Sequence, residues 1–263
     1  MVLLLKALVL GIVEGITEFL PISSTGHLII ASSIVNYPEA SRETFEIFIQ
    51  LGAILAIVWL YLQPLSTLVV NARTNAEARD LIGKVLLAFL PAAGVGFLFH
   101  HVIEAHLFRP TVVAASLIIG GVIIVGVERR AWRFDVHVIE ATGWRQAFWV
   151  GVAQVLSLIP GVSRAGATII GGMFTGLDRP VSTQFSFYLS IPTMFAASLY
   201  SLFKARHLLA AHDAVPLTIG FVAAFVSALI VVRAFISFVQ RHRLTGFGYY
   251  RILAGLVVLV FLG

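Results

Sequence analysis

Residues 11–30 read GIVEGITEFLPISSTGHLII, and 140 positions later residues 151–170 read GVAQVLSLIPGVSRAGATII. At that single offset Gly11 falls on Gly151, Glu14 on Gln154, Ser23 on Ser163, Gly26 on Gly166, and the pair Ile29, Ile30 on Ile169, Ile170. Identity lapses from Ala31 to Thr44 and returns where Phe45 meets Phe185. Each copy is divided by a proline, Pro21 or Pro160, between two apolar stretches. Proline lacks a backbone donor and disfavours helix at the residue before it. Each copy therefore predicts two half-helices joined by a bend, about 3–20 with 23–35 and about 145–159 with 163–176. An ordinary kinked span is the other reading of either pair.

Outward from the bends the chain is apolar almost end to end. Apolar residues make up 59% and charged residues 12%, half of the roughly one quarter usual in soluble proteins, and the mean hydropathy is +0.97. Runs long enough to cross a bilayer fall at roughly 43–62, 81–100, 110–128, 182–203, 216–238 and 247–262. Non-helical backbone at membrane depth is tolerated only where protein or water satisfies it, so the two bends should line a cavity. The expected fold is an all-α integral membrane protein with six transmembrane helices plus two re-entrant helix pairs. It would form one membrane domain over residues 1–263, with repeats at about 3–128 and 143–262. A pair plus three spans is an odd number of crossings, so the second repeat is inverted.

Lys and Arg then divide ten to five between the two sides. Arg73, Arg79, Arg129, Arg130 and Arg133 are among the ten, against Lys6, Arg42, Arg109, Lys204 and Arg206. The richer side is expected to be cytoplasmic, with both termini outside. The net charge of +5 is dispersed among apolar segments, which argues for membrane orientation and against a nucleic-acid partner. The lack of cysteine excludes disulfides and thiolate metal sites. Glu14 and Glu18 interrupt the apolar N-terminus and no small-residue cleavage site follows, so it is read as mature structure and not as a signal peptide.

The polar residues concentrate at the bends. Glu14 and Glu18, four positions apart, share one face of the first half-helix. Each ionised carboxylate in hydrocarbon costs about 2.5–3.5 kcal/mol or more, so the pair should face a wet cavity and share a cation or a proton. Oxygen-only ligands suit a hard divalent ion, Mg2+ or Ca2+. Ser23, Ser24, Thr25 and His27 open the second half-helix, where hydroxyls cap the helix or bind an anion at its free amides. His27 is a candidate acid, base or nucleophile, or a buried hydrogen-bonding residue. The second bend supplies Ser163, Arg164 and Thr168. The planar fork of Arg164 matches phosphate oxygens, and an ion pair with Glu14 or Glu18 is compatible with that role. Glu46 and Gln50, one turn apart, would extend the site, while Arg233 and Arg251 are assigned to span ends.

Three stretches carry a resemblance to a known family: EGITEFLPISSTGHL from Glu14 to Leu28, FEIFIQLGAILA from Phe45 to Ala56, and PGVSRAGATIIGGM from Pro160 to Met173. They resemble the undecaprenyl-diphosphate phosphatases, also called bacitracin-resistance proteins, and the likeness covers nearly the whole chain. The resemblance implies removal of the terminal phosphate from a polyprenyl diphosphate, dependence on a divalent cation and a bacterial inner membrane. It places the family's acidic motif on Glu14 and Glu18, its serine and histidine on Ser24 and His27, and its arginine motif on Ser163, Arg164 and Thr168. Ala165 stands where members often have a second serine.

On this reading Ser24 is the nucleophile, activated by Glu18 or His27, with His27 as the rival nucleophile. Arg164, with Ser23, Thr25, Ser163 and Thr168, binds the diphosphate, and Glu14 and Glu18 hold the metal. The site is expected to open to the outer face. The partners are the lipid substrate and the membrane, with a homodimer as the candidate assembly. A secondary transporter or lipid flippase uses the same inverted repeats, so fold alone leaves that alternative open.

Overall fold

A computed structural model describes residues 2–130, 133–205 and 214–262; Arg206, counted above, lies outside them. The helices are α1 (Val2–Thr17), α2 (Ser24–Ile34), α3 (Glu39–Leu60), α4 (Leu62–Asn71), α5 (Ala76–Leu107), α6 (Pro110–Arg129), α7 (Trp144–Val155), α8 (Arg164–Phe174), α9 (Arg179–Ala205), α10 (Ala214–Arg241) and α11 (Thr245–Leu262). Among the described residues the only β pairing is an isolated bridge between Val136 and Leu177. Among the described residues five segments are long and apolar enough to cross a membrane: Ser41–Leu60, Ala76–Phe99, Pro110–Arg129, Arg179–Lys204 and Ala214–Arg241. The sixth expected span is also an apolar helix but a shorter one, Thr245–Val260.

Both breaks fall where the prolines predict them. α1 stops at Thr17 and α2 starts at Ser24; α7 stops at Val155, a 3-10 turn covers Leu156–Leu158, and α8 starts at Arg164. Proline alone does not dictate a break, because Pro91 and Pro192 lie inside continuous helices. At the two bends a serine N-cap restarts the helix: Ser23 Oγ accepts from the Gly26 N–H at 3.5 Å, and Ser163 Oγ from the Gly166 N–H at 3.1 Å.

These two serines also share an unusual backbone. Their φ angles are 72° and 71°, in a region that costs a non-glycine residue about 1–3 kcal/mol. A second pair at the same offset, Asn36 at φ 51° and Gly176 at φ 96°, ends α2 and α8. The repeat thus persists in conformation through the stretch where identity lapses.

Packing is reciprocal as well. α1 lies on α10 as α7 lies on α5, α10 lies on α3 as α5 lies on α9, and α3 with α9 and α6 with α11 pair directly. Gly11 and Gly151 make the first of these approaches possible. A Cβ at Gly11 would strike the backbone of Gly220 in α10, and one at Gly151 the backbone of Ala88 in α5. The apolar cluster at the centre, including Phe19, Ile54, Ala165, Ile169, Phe187 and Val232, unites the first bend with α3, α8, α9 and α10. The polar side chains of both bends are thereby held against one another.

Helix α4 had no counterpart in the sequence reading, which ended a span at 62 and assigned nothing after it. It buries no residue fully, and only Leu65 and Leu68 pack against the core, a stripe too short to mark a helix in the sequence. At the opposite end of α6, buried Glu128 accepts two bonds from Arg179 at 2.7 Å and one from the Leu244 N–H at 3.0 Å, fastening α6, α9 and the start of α11.

Candidate active site

The two bends meet through Glu18. One carboxylate oxygen accepts from the Ser24 hydroxyl at 2.5 Å, and the other from Arg164 Nη2 at 3.2 Å. One contact joins residues six apart in the first bend, and the other reaches across 146 residues to the second. Glu18 and Arg164 are almost wholly buried, with side-chain exposures of 6% and 10%. A guanidinium there requires full use of its donors. Nη1 of Arg164 reaches the carbonyl and hydroxyl oxygens of Ser186 at 3.3 and 3.5 Å, and Nη2 also contacts Met194 Sδ at 3.1 Å. The Phe19 ring lies beneath the guanidinium at 5.4 Å. Nε is buried without a partner.

The other bend residues fall in four groups. Ser23 and Ser163 are the caps, and Ser163 Oγ also donates to the Leu20 carbonyl of the first bend at 3.4 Å. Thr168 is fully buried and bonded to Ser186 Oγ at 2.6 Å, so it supports Arg164 through their common partner Ser186. Thr25 is half-buried beside Ser24. His27 is turned elsewhere, with Nδ1 at 2.7 Å from the Ser23 carbonyl and Nε2 at 2.6 Å from the Tyr250 hydroxyl.

Glu14 lies on α1, one turn before Glu18, is 1% exposed, and has a carboxylate oxygen with no hydrogen-bond partner. It is within electrostatic reach of Glu18, Glu46 and Arg164. Glu46 likewise carries a buried unpaired oxygen, and Gln50 accepts from Ser198 at 3.1 Å. Two unpaired buried carboxylate oxygens therefore lie on the α1 and α3 side of the site.

Arg251 is where the sequence reading fails. It lies in the second turn of α11, yet at no interface: it is 1% exposed and all five of its N–H donors are used on backbone carbonyls. Nη1 binds Pro21 and Val162 at 3.1 and 2.9 Å, Nη2 binds Ser116 and Gly161 at 3.1 and 3.0 Å, and Nε binds Leu117 at 3.4 Å. Pro21 and Gly161 are equivalent positions under the 140-residue offset. One side chain thus ties the same carbonyl of both bends. Three of the acceptors, Pro21, Gly161 and Val162, are carbonyls at the bends and two, Ser116 and Leu117, lie on α6, a non-local arrangement no window around position 251 contains. Arg233, also expected at a span end, is exposed on the side of α10.

The fold and the site together define a polytopic, all-α membrane protein whose centre holds a serine hydroxyl on a buried carboxylate, with a guanidinium on the carboxylate's other oxygen. The chain belongs to the bacitracin resistance protein BacA family, which it matches over residues 7–257. It is similar to the undecaprenyl-diphosphatase of Nitrosospira multiformis, with 50% identity covering 98% of this chain and 94% of that protein. It is also similar to undecaprenyl-diphosphatase 2 of Rhodospirillum rubrum, at 49% identity over 98% and 95% of the two chains. The undecaprenyl-diphosphatase of Nitrosomonas europaea is 49% identical over 98% of this chain and 94% of its own.

Proposed function

We propose that this protein hydrolyses undecaprenyl diphosphate to the monophosphate and inorganic phosphate, recycling the lipid carrier for cell-wall synthesis in the bacterial inner membrane. The observation that carries the chemistry is the Ser24 hydroxyl donating to Glu18 while Arg164 holds the other Glu18 oxygen. Arg164 binds the diphosphate through donors that are unsatisfied or weakly engaged, Nε foremost. Ser24 Oγ attacks the terminal phosphorus and Glu18 takes its proton. The anhydride P–O bond breaks, polyprenyl monophosphate leaves as the anion, and a phosphoserine remains. Glu18 releases that proton to solvent and then takes one from a water that attacks the phosphoserine; the Ser24 Oγ–P bond breaks, inorganic phosphate leaves and Glu18 returns the proton to Ser24 Oγ.

Glu14 and Glu18 are the residues that would hold a divalent cation, Mg2+ or Ca2+. The unpaired buried oxygen of Glu14 fits a hard ion. Among the described residues no three His, Asp or Glu side chains converge on one point, so the substrate's phosphate oxygens and water would complete the shell. Such an ion supplies charge neutralisation at the diphosphate.

The arrangement is two inverted repeats of a re-entrant pair and three spans, α1–α2–α3–α5–α6 and α7–α8–α9–α10–α11, in one membrane domain. The reciprocal packing and the paired positive-φ positions support it. With the arginine-rich end cytoplasmic, the site opens to the outer face. A carrier would need the guanidinium but has no use for a serine hydroxyl bonded to a buried carboxylate.

The test is phosphate release from undecaprenyl diphosphate by purified Ser24→Ala in detergent. Turnover should fall by about 10³-fold or more. Full activity in Ser24→Ala removes the serine mechanism, and lipid translocation in liposomes without phosphate release by the unaltered protein favours the carrier.

A further inference from the structure

His27 and Tyr250 form the polar pair at the first bend that this chemistry leaves unused. The Ser23 carbonyl oxygen can only accept, so the 2.7 Å contact puts the imidazole proton on Nδ1. Nε2 keeps the lone pair, and the Tyr250 hydroxyl donates to it at 2.6 Å, with the two rings stacked 5.5 Å apart. Neither nitrogen remains for Ser24 or for phosphorus. What His27 does hold is the carbonyl of Ser23, the N-cap whose φ of 72° turns the chain into α2.

The second bend serves as an internal control. Ser163 has the same backbone conformation, but the position equivalent to His27 is Ala167, whose N–H reaches the Ser163 carbonyl at 2.9 Å. In the first bend the corresponding bond, from the His27 N–H to the Ser23 carbonyl, is stretched to 3.4 Å. The imidazole supplies the close contact that the opened turn has lost. The opened turn is also the one whose next residue, Ser24, points its hydroxyl at Glu18, whereas its counterpart Arg164 starts a tightly closed helix.

From this geometry we infer that His27 is a positioning residue, locked in tautomer and orientation by Tyr250, that clamps the Ser23 carbonyl and so aims the Ser24 hydroxyl at Glu18. Tyr250 joins the functional residues by the same argument. The inference rests on the hydrolase reading with Ser24 as nucleophile. It also separates three substitutions that a nucleophile or proton-transfer role would treat alike. The amide nitrogen of asparagine overlays Nδ1 and can donate to the Ser23 carbonyl, whereas that of glutamine overlays Nε2 and cannot.

The experiment measures kcat and KM of His27→Asn, His27→Gln, His27→Ala and Tyr250→Phe with undecaprenyl diphosphate in detergent. His27→Asn should keep kcat within about tenfold of the unaltered protein, while His27→Gln and His27→Ala fall about 10²-fold or more. Tyr250→Phe keeps the stacked ring and loses one hydrogen bond, so its kcat should drop about three- to tenfold with KM within about twofold. His27→Asn as inactive as His27→Ala overturns the inference, and so does an unchanged kcat in Tyr250→Phe, the milder variant that decides the matter if the His27 variants fold poorly. If the unaltered protein releases no phosphate at all, the hydrolase reading itself has failed, a result distinct from any ordering of the variants.

Discussion

Replacing Arg251 tests whether one buried side chain sets the geometry of both bends. Lysine keeps the charge but has three donors in place of five, so Arg251→Lys loses at least two of the five bonds to carbonyls. A buried carbonyl stripped of its bond costs about 1–3 kcal/mol, which sets the loss at about 2–6 kcal/mol. For a chain of this size each kcal/mol moves the midpoint about 2–4 °C, so the detergent melting temperature should fall by about 5–20 °C. Arg251→Met, which removes every donor, should fall further. Turnover should drop too, although Arg251 touches no reacting group, because its bonds to Pro21 and Gly161 fix where Ser24 and Arg164 stand. A misplacement of about 1 Å costs roughly 10²-fold in kcat. Thermal unfolding and phosphate release on the same preparation check both halves. An Arg251→Lys protein that melts within about 2 °C of the unaltered one and turns over within about twofold refutes the reasoning.

Other substitutions divide the site by role. Arg164→Lys keeps a charge but loses the planar fork that reaches Glu18 and Ser186 together, so kcat/KM should fall about 10²-fold in a steady-state assay. Glu14→Gln should raise the Mg2+ concentration for half-maximal phosphate release by about tenfold or more, and an unchanged activation curve removes Glu14 from the metal. Glu128→Ala strands Arg179 at the far end of α6 and should cost about 3–5 kcal/mol in unfolding measurements, with kcat per folded molecule unchanged.

How much of this was legible in the sequence depends on whether a residue's partners lie nearby in the chain. The bends were legible because proline, a serine cap and a following glycine act within a few residues of one another, and the duplication displayed them twice. The Ser24–Glu18 contact was within reach of sequence reasoning for the same reason. Its partners are six residues apart, across a single turn. The contact from Arg164 to Glu18 spans 146 residues and was reachable only because a guanidinium at membrane depth demands an anion. α4 has only the short stripe of Leu65 and Leu68 to mark it, and Arg251 was misassigned because its acceptors are carbonyls, which every residue has and no sequence pattern flags.

The positive-φ pairs explain why the duplication reads as sparse and yet has held its shape. Ser23 and Ser163 are identical, but Asn36 and Gly176 differ while both occupying the left-handed region at the end of the second half-helix. Glycine enters that region without a Cβ penalty and asparagine tolerates it, so the constraint is on backbone conformation and admits either residue. Once the turns are fixed, the side chains between them are free to diverge. Ser24 and Arg164 occupy equivalent first positions of α2 and α8, and each reaches Glu18, which has Leu158 as its own counterpart. Two like helix starts facing one centre could not both present serine and still hold a diphosphate, nor both present arginine without stranding buried charge. In the proposed mechanism one start is the nucleophile and the other the clamp, which resolves that conflict with a single carboxylate between them. This is why the chemistry falls where the two copies disagree.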